Sequence, residues 1–105
     1  MMNAAHTLLE AGAPQATALE CGLERVSYRA LRQRVRQAAG AWQALGLRPG
    51  QRVIVFAPDS IDWVVAYLGV IWAGGVAIGV NPRLAMSELA PILSESEVRL
   101  VWCEA

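Results

Sequence analysis

VIVFAPDSIDWVVAYLGVIWAGGVAIGV, residues 53–80, decides the fold of this 105-residue chain. Its first five residues, 53–57, are apolar without a break, the pattern of a strand covered on both faces. Pro58 ends that run, and Asp59 or Ser60 is placed to cap a helix. Ile61, Val64, Val65, Leu68, Ile71 and Trp72 then recur at helical spacing, while Trp63, Tyr67 and Val70 make the other side apolar too. Such a helix has so little polar surface that neighbours must cover most of it. Gly74-Gly75 breaks the helix, and VAIGV (76–80) is expected as a second buried strand. Asn81-Pro82 leaves the strand, because proline has no N–H to give to a ladder.

Residues 63–80 carry no charge, and that length by itself would nominate a membrane span. Asp62 at one edge, the glycine pair inside, and the change from helical to β-branched patterning argue for a buried helix followed by a strand instead. Downstream, Ser87 can cap a helix running to about residue 95 with Pro91 early in it, and VRLVW (98–102) is expected as a third buried strand. Strand, helix, strand, helix, strand with short connections is the order of a parallel sheet built from βαβ units.

Upstream, Arg48-Pro49-Gly50-Gln51 is turn chemistry and Gly46 supplies a left-handed helix stop. The helix that ends there begins after Ser27, a good N-cap. Tyr28, Leu31, Val35, Ala38, Ala39, Trp42 and Leu45 share its apolar face; Arg29, Arg32, Arg36, Gln33 and Gln43 lie elsewhere and are expected to be solvated. TALECGLERVSY reads as a hairpin around Cys21-Gly22, and residues 4–11 as a short helix closed by Gly12 and Pro14. The expected class is α/β: a partial parallel sheet with flanking helices over residues 53–102, preceded by a short hairpin and a long amphipathic helix. Residues 1–105 are expected to form a single, incomplete domain, since a parallel sheet normally needs both faces covered.

Composition narrows the chemistry. Nine basic and nine acidic residues cancel, so no net field draws the chain to nucleic acid or an anionic membrane. Every basic residue is arginine; with no lysine, Schiff bases and P-loop lysines are excluded from these residues. Cys21 and Cys103 lack zinc-ligand spacing, so no metal site is expected, and reduced thiols in the cytoplasm are the reading. The opening MMNAAHTLLEAGAPQ has neither the basic start nor the apolar run of a secretory signal. His6, the sole histidine, sits in a segment expected to fray, and no catalytic residue is assigned.

GGVAIG has glycines but lies between a helix and a strand, whereas a phosphate loop must leave a strand and open a helix. The turn at 57–60, APDS, is in the right place and has no glycine. That leaves Arg83, the one basic residue between Arg52 and Arg99. It follows the carboxyl end of a strand expected to be central, the sheet edge where ligands of open α/β sheets generally bind. An anion contact, a helix-start position and a solvated loop charge all fit it.

The run from Val26 to Trp102 resembles the N-terminal part of the acyl-adenylate-forming enzymes, the AMP-dependent ligase superfamily of acyl- and aryl-CoA ligases, luciferases and adenylation domains. The matching pieces are Ser27-Tyr28, the stretch from Gly46 to Val53, the stretch from Ala73 to Val76, and Asn81-Pro82, in order and at the family's spacing. Asn81-Pro82-Arg83-Leu84 followed by Ser87-Glu88-Leu89 is most similar to CoA ligases for aromatic acids such as benzoate or 4-chlorobenzoate, and to some fatty acyl-CoA ligases. The resemblance implies a parent enzyme that takes a small carboxylic acid, ATP with Mg2+, and CoA, passing through an acyl-AMP. It also implies that Arg83 meets the phosphate of CoA, as the matching arginine does in the chlorobenzoate ligase. The family's phosphate loop, Tyr-Gly-x-Thr-Glu motif, ribose-binding Asp and terminal Lys are absent from these residues. The chain alone is therefore expected to be inactive, to hold no cofactor tightly, and to self-associate through uncovered surface. A stand-alone interaction or regulatory domain on the same fold, and a protein anchored in a membrane through residues 63–80, are the rival readings.

Overall fold

The computed structural model describes residues 4–57, 60–80, 88 and 100–103. The elements are α1 (Ala4–Glu10), β1 (Thr17–Cys21), β2 (Glu24–Ser27), α2 (Tyr28–Ala44), β3 (Arg52–Phe56), α3 (Ile61–Trp72), β4 (Val76–Val80) and β5 (Leu100–Cys103). β1 and β2 form the antiparallel hairpin expected around Cys21-Gly22. β3, β4 and β5 form a parallel sheet in the order β4-β3-β5, so the expected βαβ unit spans β3, α3 and β4. Of the helix expected from Ser87, Glu88 is described and is helical; the rest of it lies outside the described residues.

β3 is the central strand, and Val53, Ile54 and Val55 are fully buried, as their uninterrupted apolarity requires. The outer strands correct the sequence reading. β4 was expected to be buried and central, yet it lies at the edge of the described sheet, with Val76 46% exposed and Gly79 exposed. β5 is described from Leu100 to Cys103, residues 98 and 99 of the expected strand lying outside the described residues, and Val101 is also 46% exposed. A β-branched run reports a pleated backbone, not the number of strands beside it, so edge and centre read alike.

Each long helix is closed at both ends by its own sequence. Ser27 and Ser60 are in extended conformation and their hydroxyls accept from the backbone N–H of Ala30 and Trp63, at 3.2 and 3.0 Å. At the far end of α2, Gly46 takes φ 96° while Gly46 and Leu47 donate to the carbonyls of Gln43 and Trp42. Gly74 (φ 90°) and Gly75 repeat that pattern on Ile71 and Val70 of α3. Both are Schellman closures, which satisfy carbonyls that helix ends leave open. The turn before β3 is then tied to the turn before β4: Gly50 donates to Gly74 O (2.9 Å), and Val76 donates to Gln51 O (2.8 Å). That lock sets the two strands in register at their amino ends.

The core lies between the helices and the sheet. One cluster joins Leu9 of α1, Val26 of β2, Leu31 and Val35 of α2, and Ile61 and Leu68 of α3; a second joins Ala39 and Trp42, Leu47, Val53, Val70 and Ala73. Each large aliphatic side chain so buried contributes about 1.5–3 kcal/mol over exposure. α2 and α3 meet closely at Gly69, where an added Cβ would lie 2.7 Å from that of Ala38. α1 is not the frayed end expected from sequence: Ala5 and Leu9 are fully buried, and the His6 ring lies 3.7 Å from that of Trp72. Leu45, assigned to the apolar face of α2, is the C-cap and is 61% exposed. α3 has 12 residues, about 18 Å at 1.5 Å per residue, against about 30 Å of bilayer hydrocarbon. Among the described residues no helix is long and apolar enough to cross a membrane.

Candidate functional site

In an open parallel sheet the strands' carboxyl ends face the crevice where ligands bind, because the turns there open helices and their N–H groups. Register makes that edge level here. Phe56, the last residue of β3, lies opposite Val80 at the end of β4 and Cys103 at the end of β5. At the same edge β3 passes into α3, whose first turn is held by Ser60 and carries Asp62.

An aromatic wall stands over the exit of β4. Trp63 and Tyr67, four residues apart on α3, stack with ring centroids 4.8 Å apart and planes 19° from parallel. They rest on Gly79, the last residue but one of β4, where a Cβ would come within 3.1 Å of the Trp63 ring. Gly79 is therefore not part of a phosphate loop; it makes room for an indole against the strand.

Arg83 comes three residues after Val80 and lies outside the described residues, as do Pro58, Asp59, Asn81 and Pro82. Its expected place after a central strand changes to a place after the outer strand β4. Among the described residues no three His, Cys, Asp or Glu side chains gather as a metal site. Cys21 is a free, exposed thiol on the hairpin.

One feature the sequence reading missed is basic. Arg29, Gln33 and Arg36 are exposed, as expected of a solvated face, and with Arg32 and Pro14 they also line a hollow of about 390 Å³. Arg32 is half-buried rather than free in solvent, and its Nη2 donates to the carbonyl of Leu9 at 3.1 Å. The three, four and seven-residue spacing of these arginines was visible; the loop that closes the hollow was not.

Residues 9–105 match the family described as AMP-binding enzyme. The chain is 33% identical over 108 aligned residues to a 3-hydroxybenzoate–CoA/4-hydroxybenzoate–CoA ligase of Thauera aromatica, covering 99% of this chain and 21% of that enzyme. It is 34% identical over 88 residues to tyrocidine synthase 3 of Brevibacillus parabrevis, covering 84% of this chain and 1% of that protein. Among solved structures, a benzoate CoA ligase from Burkholderia xenovorans LB400 superposes with a TM-score of 0.88 at 28% identity, over 96% of this chain and 21% of that one. The chain thus spans about a fifth of the length of the CoA ligases it matches.

Proposed function

The chain belongs to the AMP-binding enzyme family, and from that premise we propose that it supplies the N-terminal part of an AMP-forming acid–CoA ligase acting on aromatic or fatty acids. In the reaction proposed for the whole enzyme, a carboxylate displaces pyrophosphate from ATP to give acyl-AMP, and the thiol of CoA then displaces AMP to give the thioester. The observation that carries this reading is the alignment with a hydroxybenzoate–CoA ligase along 99% of the chain. The half-reactions need groups these residues do not offer. No lysine is present to assist adenylation, and the strand-to-helix turn at 57–60 has no glycine to admit a pyrophosphate. Its contribution is the scaffold that levels the strand ends, with the family's CoA contact assigned to Arg83. The enzyme is proposed to work in the cytoplasm.

The test pairs the 105-residue chain with a chimera in which it replaces the matching segment of the benzoate CoA ligase. The chain alone is expected to give no acid-dependent ATP–pyrophosphate exchange; the chimera should give both exchange and thioester. Exchange by the chain alone would overturn the reading. In the chimera, Arg83→Ala should weaken CoA by about 1–3 kcal/mol, roughly 5- to 150-fold in KM for CoA, and leave exchange nearly unchanged. Equal losses in both half-reactions would instead make Arg83 a support of the fold. The half-exposed Val76 and Val101 on the outer strands support a further expectation, that the chain by itself self-associates. Sedimentation showing a monomer across a wide concentration range would count against it.

A further inference from the structure

The arginine-lined hollow on α2 has no role in the ligase reading and stands independently of it. α2 carries Arg29, Arg32, Arg34 and Arg36 and no acidic residue. Arg29 sits in the first turn, where the helix dipole disfavours a cation, and like charges three and four residues apart weaken a helix further. Among the described residues, Arg34 alone of the four has an acidic partner, Glu24 at 3.7 Å. Arg29, Arg32 and Arg36 make no ion pair among the described residues, although the chain has as many acids as bases.

These three point to the same space. The hollow of about 390 Å³ is lined by Pro14, Arg29, Arg32, Gln33 and Arg36. Its far wall is pinned, because the N–H of Arg29 donates to the carbonyl of Pro14 at 2.9 Å. Arg32 is held there by its bond to Leu9 O, yet its buried Nε has no acceptor among the described residues. A buried, charged N–H without an acceptor is costly and calls for one. Pro14 is the one apolar residue of the lining, and the others offer guanidinium forks on successive turns and a side-chain amide. That is the donor set for a compact polyanion. We propose that this hollow binds a polyphosphate group, bridged between Arg29 and Arg36 with Arg32 beneath it.

Calorimetric titration of the full chain with inorganic pyrophosphate should show saturable binding. Arg29→Gln/Arg36→Gln, both at exposed positions, should weaken it by about tenfold or more, and Arg34→Gln, off the hollow, should change it less than about twofold. Backbone N–H resonances of residues 29–36 should shift on titration of the unmutated chain, a readout that does not depend on the variants folding. No saturation by about 10 mM pyrophosphate, no shift in that segment, or an equal loss in Arg34→Gln would each overturn the proposal. A parallel titration with ATP separates the sources: affinity at least equal to that of pyrophosphate assigns the hollow to nucleotides, and weaker affinity assigns it to the free anion.

Discussion

α2 and α3 pack against each other and are each closed by a serine cap and a Schellman turn, yet their surfaces differ. α2 keeps one buried face, Leu31, Val35, Ala39 and Trp42, and turns arginines and glutamines outward. α3 has a single charge, Asp62, at its start, and no fully apolar-free side. The reason is the number of neighbours. α3 meets α2 at Gly69, α1 through Trp72, and β4 through Trp63; α2 has solvent along one side. Amphipathicity therefore measures how many sides of a helix are occupied, and its loss in α3 marks a position inside the layers rather than inside a membrane.

The largest effect should come from breaking that contact. Gly69→Val would push carbon into Ala38 and toward the backbone N of Ala39, 3.3 Å from the new Cβ, and should cost about 1–3 kcal/mol in urea unfolding despite valine's better helix propensity. A neutral outcome would mean that α2 and α3 can slide apart. Next, Ser27→Ala and Ser60→Ala each remove an acceptor from a helix start and should each cost about 1 kcal/mol. A larger loss for Ser60 would show that the start of α3, at the carboxyl edge of the sheet, is the more tightly coupled of the two. The smallest change should have the opposite sign. Gly40 on α2 has open space where its Cβ would be, so Gly40→Ala should stabilise by about 0.5–1 kcal/mol. A loss there would show that the outer side of α2 is covered.

Much of the fold was legible because it is written in local chemistry. Ser27, Gly46, Pro49-Gly50, Ser60 and Gly74 act on their own backbone neighbours, and all five turned out to cap, stop or turn as their types require. The burial of β3 was legible as well, since only a strand covered on both faces tolerates Val53-Ile54-Val55 without a polar residue. The edge position of β4, the ordered packing of α1 and the exposure of Leu45 were not, because each depends on what lies next to the element rather than on its own letters. The candidate site divides in the same way. Arg83 is proposed from its place after a strand and from the family motif. The hollow needed the loop at Pro14 brought against α2, a contact no spacing rule reports.

The sequence by itself determined the type and succession of the described helices and strands, the caps of α2 and α3, the lack of a lysine, and membership in a ligase family, because periodicity, caps and motifs are properties of neighbouring residues. Tertiary structure alone decided that β3 is the middle strand, that the ends of β3, β4 and β5 are level, that an indole occupies the space over Gly79, and that three arginines share one hollow. Those are juxtapositions of segments far apart in the chain, set by which surfaces pack together once water is excluded.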